Sequence, residues 1–499
     1  MGLSRHQDPR QEGTYHVKAT KWRPALKVTA DGKGLATHAG SRLLAEMADR
    51  SGLTDALSEA LAPMCKRRRR HDPGKVISDL AVTIAGGGDA LANLLGLRLQ
   101  ADVFGAVASV PTAFRVIDAI DDTLLAAMRA ARSQVRRLVW GAGLNPITEH
   151  GYVTLDFDAT LLDAHSDKQH AAPTYKKGYG FFPLGTWLDN TSEALAGILR
   201  PGNAGANTAA DHIEVLERAL AQLPVAPRGL DPINGVAMLA RVDSAGCTHE
   251  FLNALRRYGI EYSVGFDVTE AVQVAILDVP PGAWVEAIDQ DCGLRGGAGV
   301  AELTDLLDLS AWPEGTRAIC RREEPHPGAH FTLFDPEGWR YQVFLTDSGD
   351  EDLSYLEARH RGHARVEDRI RCAKDTGLRN LPFYEFSNNA VWIEVVAIAC
   401  DLLAWTQGLC LKGKLARAEP KGLRFMLLHM AGRLVRGGGA TNLRLEADWP
   451  WAQELVRAFA MLRGLCFATS SLLPDPPTNT RPIGQIQRAQ ASLQTAATL

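Results

Sequence analysis

Tyr152-Val153-Thr154-Leu155-Asp156-Phe157-Asp158-Ala159-Thr160 is where the period of the chain changes. Its residues alternate as a strand does, with Val153, Leu155 and Phe157 on one face and Thr154, Asp156 and Asp158 on the other. Two carboxylates on one face of a strand repel each other unless a cation or solvent relieves them. Beyond it, residues 178–188 and 193–199 read as two more strands, and 208–223 as an amphipathic helix through Ile213, Leu216 and Leu220. Residues 235–242 read as a buried strand ending at Asp243-Ser244, 248–258 as a helix and 261–266 as a strand. Three strands, helix, strand, helix, strand predicts an α/β fold. Its mixed sheet has helices on its faces, the first three strands antiparallel and the later ones parallel.

Upstream, the first 150 residues read as helical and locally basic. Residues 1–25 are polar and expected to be extended or disordered. Residues 41–61 have helical spacing through Leu43, Leu44, Met47, Leu53 and Leu57. Lys66-Arg67-Arg68-Arg69-Arg70-His71 is the densest basic run, either a solvated linker or a loop that touches phosphate. Asp72-Pro73 opens a helix that Gly86-Gly87-Gly88 closes, and 90–99 is a further short helix. Ser109-Val110-Pro111 caps another helix carrying Arg115, in a pattern that fits a helix-turn-helix. Residues 124–140 form a helix bearing Arg129, Arg132, Arg136 and Arg137.

Downstream of residue 266 the pattern breaks. Strand-like runs at 275–279, 283–288, 318–320, 330–334 and 341–345, separated by Pro, Gly and Asp, read as a small β-rich insertion. Residues 389–411 are strongly apolar but contain Glu394 and Asp401, which favours a buried helix over a membrane span. Residues 415–435 and 451–465 read as helices, and the Pro, Thr, Gln and Ala-rich tail as disordered. A chain of 499 residues implies two to four domains. A net charge of -4 gives no global argument for nucleic acid, so any basic surface is local. The eight cysteines form no C-x-x-C pair, and with no signal peptide they are expected to be reduced thiols in the cytosol.

The stretch Ser354 to Gly377 reads as one helix, opened by an S-x-x-E box at Ser354 and Glu357 and ended at Gly377. At helical spacing His360, His363, Glu367, Arg371 and Lys374 share one arc, with Val366, Ile370 and Ala373 turned inward. Asp158 on the first strand, Asp243 at the end of the fourth and Glu367 on this helix are then three carboxylates from separate elements. Hard divalent cations need oxygen ligands converging in this way. Phosphoryl transfer needs little else from the protein. A zinc metallohydrolase built on His360, His363 and Glu367 is the alternative, although it leaves Asp158 and Asp243 without a role and lacks H-E-x-x-H. A DNA-binding protein with a decayed core is a further one, opposed by the intact carboxylates.

Asp158-Ala159-Thr160, Val242-Asp243-Ser244-Ala245-Gly246, and Arg361 to Ile370 with Lys374 resemble the three acidic motifs of DDE transposases of bacterial insertion sequences. The resemblance is to the insertion-sequence group thirteen-eighty and covers roughly residues 40–465. It implies a ribonuclease-H-like core at 151–270 and 350–411, a β-rich insertion at 271–349, and a helical DNA-binding region at 1–150. A helical C-terminal region at 412–470 and a disordered tail at 471–499 complete it. It implies catalytic and metal-binding roles for Asp158, Asp243 and Glu367, with Mg2+ as the cofactor and Mn2+ able to substitute. The activity implied is strand cleavage and strand transfer at terminal inverted repeats. The implied partners are double-stranded element and target DNA and a second copy of the chain in the synaptic complex, with no membrane, in the bacterial cytoplasm. DNA contacts are expected from Arg67, Arg68, Arg69, Arg70, Arg115, His360, His363, Arg371 and Lys374. One departure stands out: where the family pattern has Tyr and Arg before the glutamate, this chain has His360 and His363. Arg361, Arg365 or Arg371 could share their work. The following Ala-Thr favours Asp158 over Asp156 as the first acidic residue.

Overall fold

The computed structural model describes residues 19–20, 23–24, 26–65, 70–147, 151–325 and 338–468. The expectations for residues 1–18, for Arg67, Arg68 and Arg69, for a strand at 330–334 and for the tail at 471–499 lie outside the described residues. Nine strands form the main sheet. They are β1 (Tyr152–Ala159), β2 (Leu184–Leu188), β3 (Glu193–Ile198), β4 (Ala237–Val242), β5 (Glu261–Phe266), β6 (Val285–Ile288), β7 (Leu294–Glu302), β8 (Arg317–Glu323) and β9 (Arg340–Thr346). Their order across the sheet is β6-β7-β8-β9-β5-β4-β1-β2-β3. β4 runs parallel to both β1 and β5, and β2 lies antiparallel between β1 and β3. The directions of these five strands are those expected from the sequence.

Six helices matter to the site: α1 (Asp122–Gly141), α2 (Ala209–Gln222), α3 (His249–Tyr258), α4 (Leu353–Arg361), α5 (Arg365–Ala373) and α6 (Phe386–Cys410). β1 is central and buried on both faces. Phe157 meets Phe251 of α3 with ring centroids 5.5 Å apart on one side. Thr154 and Asp156 are buried on the other, beneath α4 and α5. Val153, Leu155 and Phe157 have no exposed surface, and each contributes about 1.5–3 kcal/mol by leaving water. Val366 and Ile370 of α5 pack on Trp187 and Ala194, which fixes that helix against the sheet.

Several expectations are corrected. The β-rich segment continues the main sheet: β9 pairs with β5 along Ser263–Phe266, so β6 to β9 extend it. Residues 275–279 are largely helical (Glu270–Leu277), started by the Thr269 side chain. Residues 178–188 break at Phe182-Pro183. Tyr179–Phe181 joins a small sheet with Leu162–Asp163 and Ala172–Pro173. Residues 41–61 are two helices, separated where Gly52 takes a φ of 82°. Residues 415–435 are short turns of helix followed by a hairpin, Gly432–Gly437 and Ala440–Leu445, which pairs with Leu35–Ala36.

The basic helix α1 turns two of its four arginines inward. Arg132 and Arg136 are buried, and Arg136 Nε lies 2.8 Å from Glu193 while its Nη2 lies 2.5 Å from Asp401. Arg132 donates to the Ala194 and Leu195 carbonyls at 2.8 and 2.6 Å. Glu193 also accepts from Trp140 Nε1 at 3.0 Å and Trp405 Nε1 at 2.7 Å. These charges lock α1 to β3 and to α6. The apolar α6 is long enough to cross a membrane, but two-thirds of its most apolar window is buried inside the fold, as expected of a core helix.

Candidate active site

Parallel pairing matches Phe157 with Val242, so Asp158 and Asp243 follow one another on neighbouring strands. Their backbones are therefore separated by about one strand spacing, near 4.8 Å. The Asp158 side chain accepts from the Ala159 amide at 2.6 Å, and that of Asp243 from the Ala245 amide at 3.1 Å. Two glycines make the tight Asp243 turn possible. A Cβ on Gly246 would stand 2.1 Å from Val242 Cγ1, and one on Gly265 of β5 would stand 2.7 Å from the Ser244 nitrogen. Glu367 is exposed in the first turn of α5.

Asp158 feels the other two carboxylates. Burial pushes the Asp158 carboxyl up to about 6, Asp243 and Glu367 add to that, and His363 and the Ala159 amide oppose it. Lys374 donates to the Leu161 carbonyl at 3.1 Å. Burial and the nearby Arg379 depress its ammonium, against the pull of Asp163 and Asp158. The carboxylate set fits a divalent cation by donor chemistry, and its mutual repulsion is what a cation would relieve. Among the described residues no three His, Cys, Asp or Glu side chains are gathered closely enough to hold an ion by themselves.

A buried charge cluster holds this site in place. Arg241 of β4 grips Asp156 through Nε at 2.7 Å and Nη2 at 2.8 Å. Its Nη2 also reaches Asp189 at 2.7 Å, and its Nη1 the Arg359 carbonyl at 3.0 Å. Arg365 Nε donates to Asp189 at 2.8 Å, and His363 Nδ1 lies 3.1 Å from Asp156. A Cβ on Gly362 would come within 2.4 Å of Arg241 Nη1, so a larger residue there would push the guanidinium aside. The cluster ties the Glu367 helix to the two strands that carry Asp158 and Asp243. Asp156 is committed to Arg241 and His363, which leaves Asp158 as the carboxylate of β1 that faces Asp243.

The helix expected from Ser354 to Gly377 is interrupted. Asp352, not Ser354, caps α4 by accepting from the Tyr355 amide at 3.0 Å. Ser354 donates instead to the Glu286 carbonyl at 2.6 Å, and Glu357 is buried between Arg321 and Arg361, 3.0 Å from each. A tighter turn at Gly362–Ala364 separates α4 from α5, so the single polar arc does not form. His360 points inward: its ring stacks on Phe344 at 4.3 Å and its Nδ1 lies 2.9 Å from Ser263 Oγ. Arg371 is held by Asp368 at 2.7 Å and Glu419 at 2.9 Å. His360 is therefore removed from the expected DNA contacts, and Arg371 is engaged with acids. His363 is a partner of Asp156, and His360, His363 and Glu367 do not form a zinc site. Arg70 and Arg115 are exposed. The unforeseen members are Arg241, Asp189 and the buried role of Asp156. One signal was available: Arg241-x-Asp243 stands beside Asp156-x-Asp158 on the neighbouring strand, putting a cation where the strand's carboxylates needed one.

Two predictions arise here. Burial, with His363, Arg241 and Arg321 nearby, holds the His360 imidazole well below its usual 6.5. Below about pH 6.5 the unfolded chain takes a proton at this position that the folded chain refuses, so stability falls as pH drops. Urea midpoints at about pH 7.5 and 5.5 should separate more for the unaltered protein than for His360→Phe. Equal separations would show that His360 carries none of the acid sensitivity. His363→Arg should lower stability by about 1–3 kcal/mol, since a larger cation is forced in beside Arg241 and Arg365. An unchanged denaturation midpoint would contradict the crowding.

An open mixed sheet of this strand order sets two acidic residues side by side where two parallel strands end. Residues 18–466 match the family described as Transposase DDE domain group 1, and the chain belongs to that family. It is thus a DDE transposase, an enzyme of DNA transposition. Domains of this kind generally depend on a divalent metal. No curated protein matches the sequence. A cryo-EM structure of piggyBac transposase, in a synaptic complex with hairpin DNA, is similar over 78% of this chain and 79% of that one, at 12% identity and a TM-score of 0.39.

Proposed function

We propose that this chain cleaves and joins DNA strands at the terminal inverted repeats of an insertion sequence of group thirteen-eighty, with Asp158, Asp243 and Glu367 holding Mg2+ or Mn2+. The observation that carries this is the registered adjacency of Asp158 and Asp243, with Glu367 adding to the charge felt at Asp158. Bound metal would stabilise charge on the attacking and leaving oxygens of the phosphodiester. The chain's own residues do the rest. Arg241, Asp156 and Asp189 hold the carboxylate-bearing elements rigid. Lys374, beside Asp158, offers a cation to the phosphate backbone. Arg70 and Arg115 are exposed cations of the helical region preceding residue 150, proposed as the end-binding region, and a second copy of the chain would complete a synaptic pair.

The test uses purified full-length protein and a duplex carrying its own gene with the flanking DNA. Strand breaks should appear at fixed positions with Mg2+ or Mn2+ and vanish with a chelator. Absence of both DNA binding and metal-dependent breaks would overturn the reading.

A further inference from the structure

The hairpin Gly432–Gly437 and Ala440–Leu445 carries a cross-strand pair that costs stability as it stands. Arg433 lies directly opposite Arg444. Like charges so placed repel. Arg433 donates to the Lys33 carbonyl at 3.3 Å, and Arg444 has no hydrogen-bond or ion-pair partner among the described residues. The groove along the hairpin is lined by Lys33, Arg433, Arg436 and Arg444 against the single acid Glu446. Arg436 reaches Asp102 at 3.0 Å, but both side chains are about 70% exposed (73% and 69%), so that pair is weak and open to exchange.

The shape is as suggestive as the charge. Among the described residues the third strand, Leu35–Ala36, pairs with Gly432 and Arg433, and the Leu434 amide donates to the Gly34 carbonyl at 2.7 Å. This backbone pairing holds the stem of the hairpin and stops short of its outer part. Its two-residue tip, Gly438-Gly439, has φ values of 62° and 77°, the tight turn that keeps a ribbon narrow and twisted. A two-stranded ribbon fits the major groove of duplex DNA.

We propose that this hairpin is a DNA-clasping arm, with Arg433 and Arg444 neutralised by backbone phosphates of a duplex rather than by any acid of the protein. This rests on the reading of the chain as an enzyme acting on DNA. It is carried independently by the opposed arginines, which have no carboxylate partner among the described residues.

The experiment measures binding of the full-length protein to duplex DNA of arbitrary sequence, in chelator so that no strand is cut, over a series of salt concentrations. Arg433→Gln/Arg444→Gln should reduce the slope of log affinity against log salt by about 2. It should weaken binding roughly tenfold at moderate salt, while the melting temperature is held or raised. Arg444→Glu creates a cross-strand ion pair with Arg433. It should raise the melting temperature slightly and still lose DNA affinity. Unchanged slopes in both variants overturn the arm. So does affinity lost only together with a fall in melting temperature, which would make the arginines structural. If the unaltered protein cuts DNA with Mg2+ and the variants bind as it does, the arm alone falls. If the unaltered protein binds no duplex at all, the reading of the function falls with it.

Discussion

On the proposed reading, Asp158→Asn, Asp243→Asn and Glu367→Gln should each reduce metal-dependent strand cleavage by about a thousandfold, the scale of losing one charge-stabilising group, and leave duplex binding nearly intact. Binding should survive because the substitutions leave the proposed phosphate-contacting cations, Lys374 included, in place. Cleavage should not, because each substitution removes an oxygen donor from the proposed metal-binding set around Asp158. Asp158 adds a second signature. Its carboxyl is pushed from 3.8 up to about 6, so the folded protein holds a proton there more readily than the unfolded chain. Above about pH 6 the ionised side chain then costs stability, and that cost disappears below about pH 4, where both states are protonated. Asp158→Asn should therefore raise the metal-free denaturation midpoint at neutral pH, by up to about 2 kcal/mol, and make no difference in acid. Cleavage by the unaltered protein should also fall as pH drops through about 6, because protons compete with the metal. A variant that cuts at the unaltered rate would remove its residue from the active site. A destabilised Asp158→Asn would mean that Asp158 is a structural ligand of the fold.

Arg136→Met should unfold the protein at distinctly lower denaturant, with a loss of about 3–5 kcal/mol. The side chain is buried, and it neutralises both Glu193 and Asp401 while donating to the Gln222 side chain at 2.8 Å. Removing it leaves two acids inside the junction of α1, β3 and α6, with only Arg132 still near Asp401, at 3.3 Å. The control is Arg137→Met on the exposed side of the same helix, expected to stay within about 0.5 kcal/mol. Equal effects of the two substitutions would show that the buried cluster contributes nothing beyond helix propensity.

The order of strands and helices in the core was legible in the sequence because its signals are local. Alternation marked Tyr152–Ala159, 3.6-residue spacing marked Ala209–Gln222, and side chains such as Thr248 and Asp72 cap helices within three residues of themselves. Asp158 and Asp243 were legible for the same reason, since each closes a strand whose pattern is unmistakable. The hairpin at 432–445 was not legible: its stem pairs with Leu35–Ala36, some four hundred residues away. Read alone, its apolar spacing suited a helix equally well.

Charge was the least legible property. Arg132 and Arg136 look like the face of a DNA-binding helix, yet they are paired with Asp401, 269 and 265 residues distant. Asp156 looks like a rival to Asp158 until Arg241, 85 residues on, is seen to hold it. His360 and His363 share a face with Glu367 only in an unbroken helix. The turn at Gly362–Ala364 sends one ring onto Phe344 and the other toward Asp156. Backbone periodicity is set by neighbours a few residues apart, so the sequence by itself determined most elements of the core and which carboxylates stand at their ends. Whether a charged side chain faces water, DNA or a buried counter-charge depends on which distant element folds against it, and only the tertiary structure decided that.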